Sequence, residues 1–445
     1  MSTTNSTSLE ETARRAVDLA RRHGANEASA TAGRMRELEV QWRDGRVEKV
    51  SEATTRGLSL QLFVDGRYSA VSTSDLRPEA LERFISDSIA MTRVLTADAY
   101  RRLPEPEFYA GRASLDLMIE DPRQAQLSAE ERQRFARELE EGARSADGKG
   151  AILSVTTGFG DLSREMFRVT SNGFEGGSRS TQFAASAEVS VQDPDGRRPE
   201  EGDSGFARFF EDLPSASALG RRAGERALGR VGSQKGASAV LPMAVDNKAA
   251  GRLVSMLLSS MVGAAIQQKR SFLDGKLGQQ VGSSLLCLSD EPHLKRGLGS
   301  RLFDGEGITS RPMALFEEGV LRTYFIDSYY ARKLQTRPTT GGPSNLSWKL
   351  GTKDRAGILA DLGEGILVTG FLGGNSSALT GDFSLGVQGF RVRGGQLAEP
   401  ISEMNISGNQ LDLWKRLVAV GDDPYRYSTS RTPTLVFEGV QFAGT

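Results

Sequence analysis

The sequence predicts an α+β fold: an N-terminal domain of helices and a strand meander, followed by a β-rich, glycine-rich C-terminal domain. Three observations carry this. Alternating apolar and polar runs flank Asp-Gly and Asn-Gly pairs in the first half. Helical patterns interrupt those runs, and two of them open on a Ser-x-x-Glu capping box. After Ala237 a single apolar helix gives way to strand-like runs divided by glycine, of which the chain has 50.

Ser8-Leu9-Glu10-Glu11 starts the first helix, with Ala13, Ala16, Val17 and Ala20 on one face and Gly24 as its stop. Leu38, Val40 and Trp42 alternate before the Asp44-Gly45 turn. Leu58, Leu60 and Leu62 alternate before the Asp65-Gly66 turn. Leu76-Arg77-Pro78 opens a second helix carrying Leu81, Ile85, Ile89 and Met91. The stretch from Pro104 to Pro122 reads as a linker or a long surface loop. Ser128-Ala129-Glu130-Glu131 caps a third helix that runs to about Ala146. Strands are expected at Ile152 to Thr157, Glu165 to Thr170 and Phe183 to Val191, with Asn172-Gly173 as a hairpin turn. A helix from Ala216 to Val231 closes this half. In the second half the apolar helix spans Asn247 to Val262, with Asp246 as its cap. The chain divides into a disordered N-terminus at 1–8, an N-terminal α+β domain at 9–235 and a C-terminal β-rich domain at 236–445.

Composition limits the partners. The 445 residues are 38% hydrophobic and 25% charged, with a net charge of −1. No basic run exceeds pairs such as Arg21-Arg22, so neither nucleic acid nor a membrane surface is an expected partner. The N-terminus has no apolar core of a signal peptide, and the most apolar stretch, Val254 to Ile266, is too short to span a bilayer. A lone cysteine, Cys287, excludes an intrachain disulfide and fits a reducing, cytoplasmic setting.

The same counts limit the chemistry. The chain has two histidines, His23 and His293, far apart in sequence, so no helical turn presents a histidine pair to zinc. Cys287 with Asp290, Glu291 and His293 reads as an apolar strand ending in a turn at Pro292, with the thiol as a small buried hydrophobe. Gly202-Asp203-Ser204-Gly205 resembles a protease serine neighbourhood but lacks the full Gly-x-Ser-x-Gly elbow. His23, before Gly24, is expected to meet the carbonyls that end its helix. Gly297-Leu298-Gly299 and Gly363-Glu364-Gly365 lack the third glycine of a dinucleotide fingerprint.

Three longer stretches point to a family. The first is Ser271-Phe272-Leu273-Asp274-Gly275-Lys276-Leu277-Gly278. The second runs from Asp290-Glu291-Pro292-His293 through Phe303-Asp304-Gly305-Glu306-Gly307 and Glu318-Gly319-Val320-Leu321 to Asp327-Ser328-Tyr329-Tyr330-Ala331. The third runs from Gly365 through Thr380-Gly381-Asp382-Phe383-Ser384 to Pro400-Ile401-Ser402-Glu403 and Ile406-Ser407-Gly408-Asn409. Together they resemble the TldD/PmbA family, the so-called modulators of DNA gyrase. The resemblance covers nearly the whole chain from Leu9.

The resemblance implies a cytoplasmic protein of a peptidase system. The family's catalytic branch carries H-E-x-x-x-H on a helix and a late cysteine as third zinc ligand. Those positions fall here near Val254, Ser255 and Ser259, and no cysteine follows Cys287. The departure matches the TldE/PmbA-like branch. It implies no catalytic or metal-binding residue and no cofactor in this chain, zinc in a TldD-like partner subunit, and unfolded or leader peptides as substrate of the pair. Gly341, Gly342 and Asn345, and Gly373, Gly374 and Asn375, are the candidate peptide contacts, by strand addition. The competing readings are an independent metal-free hydrolase and a peptide- or protein-binding module without catalysis.

Overall fold

The computed structural model describes residues 8–445, so the disorder expected at 1–8 lies outside the described residues except at Ser8, which is ordered as the N-cap of the first helix. In chain order the first half is α1 (Leu9–Arg22), β1 (Glu27–Arg43), β2 (Arg46–Val64), β3 (Arg67–Thr73), α2 (Pro78–Thr92), α3 (Ala129–Arg144), β4 (Ile152–Thr170), β5 (Glu175–Val191), β6 (Glu200–Ala207) and α4 (Ala216–Leu228). The strands form one antiparallel sheet in the order β3-β2-β1-β4-β5-β6.

Local chemistry sets these elements. Ser8 and Ser128 both make reciprocal capping boxes, with Glu11 and Glu131. Asp44-Gly45 and Asp65-Gly66 have positive φ at both residues, which keeps the right-handed twist of the flanking strands through two-residue hairpins. The two strands expected between Ile152 and Thr170 are one continuous strand, because β1 pairs with it throughout, from Thr170 to Thr156. β6 has no signal among the expected strands. α1 and α2 cover one part of the sheet through Ala13, Ala16, Ala28, Ala30, Leu60 and Ile85. α3 and α4 cover the other through Leu139, Phe159, Phe183 and Leu219. α3 and α4 approach closely because Gly220 has no side chain: a Cβ there would lie 2.0 Å from the Leu139 carbonyl oxygen.

The second half contains β7 (Ala239–Val245), α5 (Asn247–Ser259), α6 (Gly263–Gln267), β8 (Leu288–Asp290), β9 (Met313–Glu317), β10 (Val320–Leu321), α7 (Ser328–Leu334), β11 (Leu346–Trp348) and α8 (Arg355–Leu362). It continues with β12 (Gly365–Ser376), β13 (Asp382–Arg393), β14 (Gln396–Asn409), α9 (Gln410–Lys415), β15 (Leu417–Val420) and β16 (Leu435–Ala443). A small sheet has the order β10-β9-β8-β11. A larger one has the order β14-β13-β12-β7-β16-β15 and also pairs β14 with β16, so its strands curl towards a barrel. The expected short runs are present as β8 to β11, whereas β12, β13 and β14 are long strands. α5 packs inside the curl, where Leu253, Val254 and Leu257 meet Val245, Leu385, Phe437 and Trp414. α8 covers the outer face through Ile358 and Leu359. The expected apolar helix ends at Ser259, and the chain turns before α6. Among the described residues no helix is long and apolar enough to cross a membrane.

Candidate functional site

The site is built around α5. Asp246 caps it, accepting from the Lys248 backbone N–H at 3.1 Å, and its other oxygen accepts from Arg355 at 2.6 Å. The helix buries Ala250, Leu253, Val254, Met256 and Leu257. Lys248, Arg252, Ser255 and Ser259 follow one another at helical spacing on the opposite, less buried side.

β6 is tied to the first turn of this helix. Lys248 Nζ lies 2.6 Å from Asp203 Oδ1, and Arg222 Nε lies 2.7 Å from Asp203 Oδ2. Burial alone would raise the Asp203 carboxyl, but the two cations outweigh it and hold the group below its ordinary range. Tyr425 donates its hydroxyl to the Ser204 carbonyl oxygen at 2.5 Å. Burial, reinforced by Asp203, pushes that phenol up to about 12. The Gly202-Asp203-Ser204-Gly205 segment is thus part of a β-strand whose carboxylate is consumed in an ion-pair network. It forms no nucleophile elbow.

β12 supplies an open strand edge. Its parallel pairing with β7 covers only Ile366, Leu367 and Val368. From Gly370 to Ser376 its strand neighbour is β13 on one side only, with a bulge at Gly373 and Gly374. Gly373, Gly374 and Asn375 lie on this exposed end. A cleft of about 480 Å³ runs between it and α5, lined by Lys248, Gly251, Arg252, Phe371, Gly373, Tyr425, Ser428 and Ser430.

The other expected positions fall as follows. Val254 is buried at 1% exposure, whereas Ser255 and Ser259 are exposed. A valine and two neutral hydroxyls do not fit zinc, which takes imidazole, thiolate or carboxylate ligands. Among the described residues no group of three or more His, Cys, Asp or Glu is placed to hold a metal ion. Gly341 and Gly342 precede β11 in the small sheet and stand apart from the β12 edge in the topology. Asn345 is fully buried. Its amide bonds Gly299, Glu291 and Ser300 at 2.8 to 2.9 Å, and its backbone carbonyl oxygen accepts from the Glu291 N–H at 2.7 Å, so its backbone is not open as strand addition expects. Cys287 is partly exposed, and its sulfur accepts from the Glu318 N–H at 3.2 Å. This corrects the expectation of a buried thiol, because the strand begins only at Leu288. The His23 ring faces Glu82 at 3.4 Å; only its backbone N–H meets a helix carbonyl.

The sequence reading missed Lys248, Arg252, Phe371, Tyr425, Ser428 and Ser430. The Lys248–Arg252 spacing on α5 was a readable signal. The hydroxyl-rich segment from Tyr425 to Ser430 was another, but its proximity to α5 depends on the strand order.

The comparisons agree along the chain. Models of the PmbA/TldA metallopeptidase match residues 30–92 (domain 1), 122–231 (central domain) and 238–444 (C-terminal domain). The metalloprotease PmbA of Escherichia coli O157:H7 is 29% identical over 443 residues, covering 98% of this chain and 96% of the relative. A Bacteroides thetaiotaomicron protein described as a candidate modulator of DNA gyrase superposes with a TM-score of 0.95 at 39% identity, covering 98% of each chain. TldE from Thermococcus kodakarensis shares the fold, with a TM-score of 0.87 at 19% identity over 97% of this chain and 100% of its own. The chain belongs to the PmbA/TldD metallopeptidase family.

Proposed function

We propose that this chain is the non-catalytic, TldE/PmbA-like subunit of a TldD/TldE-type zinc metallopeptidase complex that acts on unfolded or leader peptides in the cytoplasm. The observation that carries the reading is the side-chain set of α5. The positions that the resemblance gives to the zinc-binding set, Val254, Ser255 and Ser259, carry no imidazole, thiolate or carboxylate. Without such ligands no metal lowers the pKa of an attacking water here. Zinc belongs to the TldD-like partner.

Peptide holding is the contribution this chain's own residues support. The open edge of β12 from Gly370 to Ser376 offers backbone groups to an extended chain beside the cleft. Gly373, Gly374 and Asn375 carry that proposal. The independent-hydrolase reading is weakened because Asp203 is held by Lys248 and Arg222 and Ser204 has no histidine in its hydrogen-bond network. The test is cleavage of an unfolded peptide by the chain alone and after co-expression with a TldD-like protein bearing H-E-x-x-x-H. Activity only in the pair supports the reading; activity of the chain alone favours an independent hydrolase.

A further inference from the structure

A second pocket lies where the segment after Pro104 meets the small sheet. It has a volume of about 320 Å³, at the small end of ligand sites. Asp290, the last residue of β8, lines it and is almost fully buried. Asp290 Oδ1 accepts from the Ser344 N–H at 2.6 Å and from the Ser344 hydroxyl at 2.8 Å, and both of these bonds fall on the same oxygen. Arg301 lines the same space. Its Nη2 donates to the Gly342 carbonyl at 2.6 Å and to Thr340 at 3.2 Å, while its buried Nε has no partner. Ser310 is 6% exposed, and its hydroxyl also lacks a partner. Buried polar atoms are rarely left so in folded proteins.

The charges select the ligand class. Arg301, Arg311 and Arg337 line the pocket with Asp290 and Glu107, and Glu107 is matched by Arg337 at 3.3 Å. A simple anion would meet Asp290. A simple cation would meet Arg301 and Arg311. A molecule with both charges complements both. We propose that this pocket binds a small zwitterion, a free α-amino acid or dipeptide, with its ammonium facing the Asp290 carboxylate and its carboxylate facing the Arg301 and Arg311 guanidinium groups. Burial pushes the Asp290 carboxyl above its usual range, and an ammonium partner relieves that cost. The proposal is independent of the peptidase-subunit reading.

Isothermal titration of the full chain with glycine, L-alanine, L-leucine and glycylglycine tests it, with acetate and methylammonium as single-charge probes. One zwitterion should bind stoichiometrically and about tenfold or more tighter than either single-charge probe, as expected when two charged hydrogen-bond sets act together. Asp290→Asn should weaken it about tenfold. Arg311→Ala, at an exposed position, serves if the buried variant fails to fold; it should weaken binding with an unchanged Tm. Absence of binding by all four zwitterions would overturn the proposal. So would acetate binding as tightly as the zwitterions, or affinity unchanged in Asp290→Asn or, if that variant does not fold, in Arg311→Ala.

Discussion

Lys248 Nζ lies 2.6 Å from Asp203 Oδ1, so the first turn of α5 is tied to β6 of the N-terminal sheet. Both side chains are largely buried, at 23% and 7% exposure, which separates this pair from the surface ion pairs that contribute little. The link holds the helix of the candidate site against the first half of the chain.

Lys248→Met should therefore destabilise the protein by about 1–3 kcal/mol, the range for removing one partner of a buried charged hydrogen bond. Urea unfolding at neutral pH measures it. The acid limb carries a second signature. Asp203 is depressed in the folded state, so its contribution is full above the unfolded carboxylate pKa and is lost as pH falls through the folded value. Removing Lys248 raises the folded value, so the variant should lose less of its remaining stability between about pH 5 and 2. A wild-type acid slope in Lys248→Met would contradict this.

Gly220→Ala should destabilise by about 1–3 kcal/mol, as overpacking does. The added Cβ would meet the Leu139 carbonyl oxygen at 2.0 Å and the Ala143 nitrogen at 2.9 Å, both backbone atoms of α3. Thermal unfolding of the variant checks it. An unchanged Tm would mean that α3 and α4 separate freely, against the close contact described here.

Hydrogen exchange reads the open edge of β12. Amides between Gly370 and Ser376 that face away from β13 should exchange faster than those of the same strand at Ile366 to Val368, which lies between two neighbours. Adding an unfolded peptide should slow the exposed set if the strand edge receives it. Unchanged exchange at saturating peptide would remove Gly373, Gly374 and Asn375 from the proposal.

Much of this architecture was legible because it rests on local chemistry. The capping serines Ser8 and Ser128, the turns at Asp44-Gly45 and Asp65-Gly66, and the apolar face of α5 each announce themselves within a few residues. The candidate site was less legible because distant segments assemble it. Tyr425 reaches Ser204, and Lys248 reaches Asp203, only because the C-terminal half brings the 425–430 segment, and the N-terminal sheet brings β6, to the same helix. Asn345 is buried, against the open backbone expected of it, for the same reason. A polar residue among glycines looks exposed in sequence, but the 297–300 turn wraps around its amide. β6 escaped notice because Glu200 to Ala207 mixes glycine and charge, and its carboxylates find partners only in the fold.

Restoring the family's zinc residues should not restore a metal site. α5 is an unbroken α-helix, and Val254 and Ser259 lie on opposite sides of it, one buried and the other exposed. Residues five apart on a regular helix diverge by roughly 140°. Val254→His would also bury an unpaired imidazole at a cost of about 1–3 kcal/mol. The triple variant Val254→His, Ser255→Glu, Ser259→His should be less stable than the parent and show no chelator-sensitive cleavage. Cleavage by that variant would mean that α5 adopts the local bulge the motif needs.

The most direct measurement is chelator-sensitive cleavage of an unfolded peptide, made in parallel on the purified chain and on the chain co-purified with a TldD-like protein bearing H-E-x-x-x-H. The account predicts no cleavage by the chain alone and chelator-sensitive cleavage by the pair. Cleavage by the chain alone, or full activity of the TldD-like protein unaffected by this chain, would contradict it.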